Sequence, residues 1–211
     1  MCVAILKTKS NRVTRKELTN AWNTNPDGAG IAWSEKGKLH VVKSYESDGS
    51  MMDSKKFIDK VVKLQTKYLA KNMLIHFRIA TQGFGADGMP DVDNCHPFAV
   101  NDDVVFIHNG MINMPVSNRI SDTRFFNRLY LQKLPFKFSI GNEALRKLIE
   151  SKIGSSKLVF LDSKGNYDIA NEGFGSWEKG NWFSNRNHCR VVRRFSFDNA
   201  LLPSDDEFRL R

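Results

Sequence analysis

Three things are scarce in this chain, and each scarcity excludes a class of protein. Its 211 residues contain only 3 Cys, at positions 2, 95 and 189. There is no Cys-x-x-Cys and no paired framework, so neither a disulfide-stapled scaffold nor a structural zinc site is expected. No apolar run approaches the ~18 residues of a membrane-spanning helix, so no membrane association is expected. Lys7 and Lys9 interrupt the first apolar run, which therefore does not read as a signal peptide. Together these absences make the cytoplasm the expected compartment.

The hydrophobic fraction of 41% and the 15 Phe are enough for one sizeable core. The formal net charge of +9, from 32 Lys and Arg against 23 Asp and Glu, favours acidic partners by electrostatic steering. It names none. The basic residues are scattered and no nucleic-acid-binding motif is visible, so contact with nucleic acid stays open but is not indicated.

Composition changes after Asn185. Arg186, Arg190, Arg193 and Arg194 come close together and Asp205-Asp206-Glu207 follow. Residues 1–185 are therefore expected to form the domain and 186–211 a basic-then-acidic C-terminal extension.

Within the domain, Cys2–Leu6 is a short apolar run with β-branched Val3 and Ile5, suited to a buried strand. Lys7–Asn20 reads as a polar loop with a short helix around Thr14–Trp22. Asn25-Pro26-Asp27-Gly28 is strong turn chemistry. Gly28–Ser34 and Lys38–Ser44 read as a hairpin. Asp53–Ala70 is the clearest helix, with Phe57, Val61, Leu64 and Tyr68 at helical spacing and Asp53 or Ser54 as its cap. Asn72–Ala80 returns to strand character and Gln82–Asn94 reads as a long loop. Pro97–Val100 and Val104–His108 pair as strands. Asp122–Leu134 and Asn142–Ile153 are helical, Lys157–Asp162 and Tyr167–Asn171 make another hairpin, and Trp182–Asn185 is a last strand. This order predicts an α+β fold with mainly antiparallel sheets. Two face-to-face sheets with helices outside, and one sheet with helices on one side, both fit the pattern.

The chemistry begins at Met1-Cys2. If Met1 is removed, Cys2 carries a thiol and the free α-amino group on one residue. A cysteine thiol titrates near ~8.5 and an α-amine near ~7.7–8.0, so the neutral amine can accept the thiol proton. The plainer reading is a small residue opening a buried strand. Attack on a carbonyl needs donors for the oxyanion. Asn109 and the Gly110 N–H, at the end of an expected strand, could supply them, or could form an ordinary hairpin turn. Arg78 stands in an otherwise apolar strand and must pair or face a cleft; its fork matches a carboxylate. Asp122 could accept from an ammonium group or serve as a helix N-cap.

Taken in order, these residues resemble the class II glutamine amidotransferase domain, an N-terminal-nucleophile hydrolase. The resemblance runs from Cys2 to about Asn185. It is carried by Met1-Cys2, Asn25-Pro26-Asp27-Gly28-Ala29-Gly30, His76-Phe77-Arg78-Ile79-Ala80-Thr81-Gln82-Gly83, Asn94-Cys95-His96-Pro97-Phe98, His108-Asn109-Gly110 and Ser121-Asp122-Thr123. It implies a four-layer α/β/β/α sandwich. It further implies that Cys2 attacks the glutamine side-chain amide to give a glutamyl thioester and ammonia, with its α-amine as base. Asn109 and Gly110 would form the oxyanion hole, Arg78 would hold the α-carboxylate and Asp122 the α-ammonium. Thr81 and Gln82 would complete the pocket.

The chain departs from the family pattern at Ile79, where many members carry an aromatic residue, and at Gln82, where several have His. It also leaves no room after Asn185 for an ammonia-using synthase domain, so a separate acceptor enzyme is expected. A hydrolase of another γ-glutamyl or small amide substrate, and a non-catalytic interaction module on the same fold, are the competing expectations. No cofactor and no metal are expected. Gly83–Gly88 fits G-x-G-x-x-G, but Met89-Pro90-Asp91 cannot open a helix onto a pyrophosphate. His188-Cys189 has no companions in the sequence, and Cys95 and His96 are given packing roles.

Overall fold

The protein is described here from a computed structural model, which defines residues 1–81, 84, 88, 90–114, 119–134 and 140–190. Its architecture follows from where alternate residues of each strand point. β1 (Val3–Lys7) is buried along its whole length, yet its two faces go to different cores. Val3 and Ile5 pack with α1 (Arg15–Thr24) and α2 (Ser54–Lys67), against Leu18, Trp22, Phe57 and Val61. Ala4 and Leu6 face the opposite way, onto Val105, Ile107, Val159 and Leu161. The period-two geometry of a strand sorts one apolar run into two buried faces.

β1 belongs to a six-stranded antiparallel sheet with β2 (Ala29–Glu35), β3 (Lys38–Lys43), β4 (Met73–Phe77), β9 (Ser176–Glu178) and β10 (Asn181–Phe183), in the order β3-β2-β4-β1-β10-β9. The second sheet is also antiparallel, with four strands in sequential order: β5 (Phe98–Asn101), β6 (Val104–Asn109), β7 (Lys157–Asp162) and β8 (Tyr167–Ala170). Its outer face presents Val104, Phe106, Leu158 and Phe160 to Phe126 of α3 (Asp122–Leu129) and to Leu145 and Ile149 of α4 (Glu143–Ile153). Three apolar clusters thus separate helix, sheet, sheet and helix. This is an α+β fold and a four-layer α/β/β/α sandwich; the single-sheet alternative is excluded.

The helices start where local chemistry starts them. Thr14 caps α1 with a full capping box: its hydroxyl accepts from Glu17 N at 3.2 Å, and Glu17 accepts from Thr14 N at 2.7 Å. That box, with Leu18, Ala21 and Trp22 buried behind it, starts the short helix expected around Thr14–Trp22, which runs Arg15–Thr24. Asp53 caps α2, accepting from Lys56 N at 2.8 Å. α3 is shorter than expected, ending at Leu129 with a separate tight turn over Leu131–Lys133.

Lys7 is the last residue of β1, not the first of a loop. Its stem is buried and its ammonium is satisfied by the carbonyls of Leu69 and Lys71 at 2.7 and 2.8 Å. β9 is not legible in the sequence, because three residues are too few to alternate. Arg186–Cys189 forms a tight turn packed on α1, with Asn20 Nδ2 donating to His188 O at 3.0 Å. The first residues of the expected extension are thus packed with the domain; 191–211 lie outside the described residues. No described helix is long and apolar enough to cross a membrane.

Candidate functional site

Cys2 sits immediately before β1, the strand flanked by β4 and β10. Its neighbours therefore come from the ends of both strands and from the facing sheet. Its thiol donates to Ile79 O at 3.7 Å. Its own carbonyl accepts from the Asn109 side-chain amide at the end of β6, and from Asn185 Nδ2 at 2.7 Å. Two carboxamides from opposite sides fix the backbone of the residue that carries the thiol.

A cavity of about 90 Å³ opens beside this thiol. Cys2, Arg78, Thr81, Gly110 and Asp122 all line it, with Met1 at its edge. These residues come from segments far apart in sequence. Asn109 touches the same place through the Cys2 carbonyl. Gln82 and most of the glycine-rich stretch 83–89 lie outside the described residues.

Arg78 is buried just beyond the end of β4. The Asn25–Gly28 turn positions it by backbone. Arg78 N donates to Gly28 O at 2.7 Å, Asp27 N donates to Arg78 O at 2.9 Å, and Asp27 Oδ2 takes Ala80 N at 2.8 Å. The turn signal of the sequence is thus the clamp that carries the arginine out of the sheet. Gly30, two residues on, has a packing reason: a Cβ there would lie 2.1 Å from His96 O.

Asn109-Gly110 is not a hairpin turn. β6 pairs with β7 through Asn109 opposite Lys157, and the chain then leaves the sheet. Gly110 has φ of +140°, and a Cβ would meet Ser156 Oγ at 2.3 Å, so only glycine fits. Lys157 Nζ approaches Asn109 Oδ1 at 3.4 Å and biases the amide so that its NH2 faces Cys2. A lysine opening an apolar strand was the signal for this contact, and the sequence reading passed over it.

Asp122 is not the N-cap of α3. Ser121 is, accepting from Arg124 N at 3.2 Å. The Asp122 carboxylate instead takes the N–H of Ile112 at 2.7 Å and that of Thr123 at 2.6 Å. Behind it runs a buried chain of polar groups. Thr123 Oγ1 donates to Asp122 Oδ1 at 3.1 Å and accepts from His108 Nδ1 at 2.6 Å. The His108 carbonyl accepts from His76 Nε2 at 2.9 Å, and the His96 ring lies 4.1 Å from that of His76. His96 and His108 also line the cavity, which the sequence did not foresee for either.

Burial sets the electrostatics of this floor. It pulls His76 down to about 3 and His108 to about 4, and His96 well below the ordinary imidazole range. All three imidazoles are neutral at neutral pH. Burial pushes the Cys2 thiol above its ordinary value, while the chain terminus and Arg78 pull it down by less. The thiol is therefore protonated unless a base beside it takes the proton.

Residues 11–126 match the family model described as class-II glutamine amidotransferases. The chain belongs to that family. No curated protein sequence matches it. Among solved structures it is similar to a glutamine phosphoribosylpyrophosphate amidotransferase from B. subtilis complexed with ADP and GMP. That similarity has 16% identity and a TM-score of 0.46, over 87% of this chain and 41% of the other. The chain thus spans well under half the length of that protein.

Proposed function

We propose that this protein hydrolyses the side-chain amide of glutamine, with Cys2 as nucleophile once Met1 has been removed, and releases ammonia for a separate acceptor enzyme. The observation that carries the reading is the convergence of Cys2, Arg78, Thr81, Gly110 and Asp122 on one cavity. A thiol, a cation and an anion held there match a side-chain amide two methylenes away from a zwitterionic α-carbon.

The steps follow from the groups present. The Cys2 α-amine accepts the thiol proton, and the thiolate adds to the amide carbon. The second N–H of the Asn109 carboxamide and the Gly110 N–H meet the developing oxyanion. The amine returns the proton to the departing nitrogen, the C–N bond breaks, and ammonia leaves a glutamyl thioester. Water, deprotonated by the same amine, then displaces the thiol and gives glutamate. Arg78 pairs with the α-carboxylate and Asp122 with the α-ammonium throughout. Thr81 lines the same pocket, and Gln82 is assigned to it by resemblance.

Burial holds the thiol proton more tightly, so this reading needs the Cys2 α-amine, freed by removal of Met1, to take it. The test is an intact mass of the protein after exposure to a glutamine-like electrophile, alongside ammonia release from glutamine. One adduct on Cys2, in protein lacking Met1, with turnover lost in Cys2→Ala, is the expected result. Correctly processed protein that neither reacts nor turns over, even with candidate acceptors present, would overturn it. A preference for substrates blocked at the α-groups would shift the reading to another γ-glutamyl or small amide.

A further inference from the structure

Outside the cavity, the fold brings together a set of donors that the sequence leaves scattered. His188-Cys189 has no ligand companions nearby in the chain. The antiparallel pairing of β9 with β10 places Glu178 beside them, and the donor atoms of Glu178, His188 and Cys189 all lie within 4.8 Å of one another. His188 Nε2 is 3.2 Å from Glu178 Oε2 and 3.2 Å from Cys189 Sγ. We propose that Glu178, His188 and Cys189 form a binding site for a single thiophilic divalent cation of the zinc class.

The hydrogen bonds around the three residues point to this. His188 Nδ1 lies 2.9 Å from Asn185 O, and a carbonyl can only accept, so Nδ1 carries the proton. In the neutral ring Nε2 then presents a lone pair directly to a carboxylate oxygen. Two acceptors face each other unless a second proton or a cation lies between them. The thiol at the same distance from Nε2 supplies the third donor atom that such a cation would take.

The surroundings complete the case. Ser176 Oγ donates to Glu178 Oε1 at 3.2 Å, which leaves Oε2 for the site. A histidine whose other nitrogen donates to a backbone carbonyl, and a carboxylate held by a hydroxyl, are the usual supports of metal ligands. Zinc bonds of ~2.0–2.3 Å imply ligand-to-ligand distances of about 3.3–3.7 Å in a tetrahedron; the two separations from His188 Nε2, 3.2 Å each, already match, and the third, within 4.8 Å, closes by rotation of the Glu178 or exposed Cys189 side chain. His188 is buried and stacked on Phe183 at 3.8 Å, which fixes its ring, while Cys189 is exposed and leaves a way in from solvent. Three protein donors leave a fourth position for water.

The site adjoins the one described above. The turn bearing His188 and Cys189 also bears Asn185 and Asn187, whose amides hold the carbonyls of Cys2 and Met1 at 2.7 and 3.3 Å. A bound ion braces those hooks.

The test uses the full chain stripped of metal by a chelator and titrated with cobalt(II), then zinc. One equivalent of cobalt is expected to give a thiolate-to-cobalt charge-transfer band that zinc displaces. The band should persist in Cys2→Ala and vanish in Cys189→Ser, an exposed position where the fold is not at risk. Glu178→Gln should weaken cobalt binding at least tenfold. No charge-transfer band in the wild-type chain would overturn the proposal, leaving an imidazolium–carboxylate pair. So would a band that survives Cys189→Ser or is lost in Cys2→Ala, because the metal would then sit on another thiol. None of these readouts depends on glutamine turnover, so the proposal stands or falls apart from the catalytic reading.

Discussion

Cys2 and Cys95 are the same side chain in two settings, and the contrast shows what makes a thiol usable. Both donate to a backbone carbonyl, Cys2 to Ile79 O at 3.7 Å and Cys95 to Ala29 O at 3.3 Å. Burial raises both, Cys95 to about 12. Cys95 is fully enclosed, whereas Cys2 lines a cavity shared with Arg78 and Asp122. Cys95 is held by the interior of a loop, Cys2 by two carboxamides at the mouth of a strand. Burial alone does not distinguish the two thiols. The open face and the adjacent cation do, and under the proposed function removal of Met1 would add a base within the same residue.

The sharpest way to break the comparison is to exchange the two residues' fates. Cys2→Ala is expected to reduce ammonia release from glutamine to background, while Cys95→Ala keeps kcat within a few-fold of the wild type. Equal losses in the two variants would remove the distinction. Next in size, Asn109→Ala should lower kcat by ~10²–10³, the usual effect of deleting one oxyanion donor, with KM changed little. Steady-state kinetics would show a binding role instead if KM alone moved.

Arg78→Lys keeps the charge but loses the fork, and should raise KM for glutamine about 10-fold or more. A glutamine analogue lacking the α-carboxylate should show no such difference between variant and wild type. The neutral histidine floor beneath the site gives a smaller, pH-dependent effect. In the unfolded chain these imidazoles titrate near 6.5, whereas in the native protein His76 and His108 do so at about 3 and about 4. Between those values the unfolded state binds more protons, so stability is complete above pH 6.5 and is lost as pH falls towards 4. The slope approaches ~1.4 kcal/mol per pH unit for each histidine. Thermal melts from pH 7.5 to 4.5 should show it, and His76→Gln should flatten it. Smallest is the effect of Cys95→Ala on stability, expected at about 1–2 kcal/mol by denaturant titration, for one small buried side chain.

Much of this was legible in the chain because it rests on local rules. The apolar runs at Val3–Lys7, Met73–Phe77 and Lys157–Asp162 are strands, and the Phe57, Val61, Leu64 periodicity is a helix, largely where the pattern put them. Arg78 was conspicuous because an arginine in an apolar stretch needs a reason. Asp122 was ambiguous because Ser121 and Asp122 are both good caps, and only the bond from Arg124 N to Ser121 decides between them. Lys157, Asn185 and His108 were missed for a common reason. Each acts through a partner 15 to 183 positions away in the chain, and no spacing rule spans such a gap.

By itself the sequence determined the alternation of strands, the pairs of cap candidates that open α2 and α3, the glycine at position 110 and the presence of a thiol next to the first residue. These follow from periodicity, sterics and side-chain chemistry within a few residues. Only the tertiary structure decided that Ala4 and Leu6 face a second sheet, that Asn109 and Asn185 grip the same carbonyl, and that Glu178 meets His188 and Cys189. Those contacts exist because two sheets bury their apolar faces against each other. That burial brings strand ends together whatever their distance in sequence.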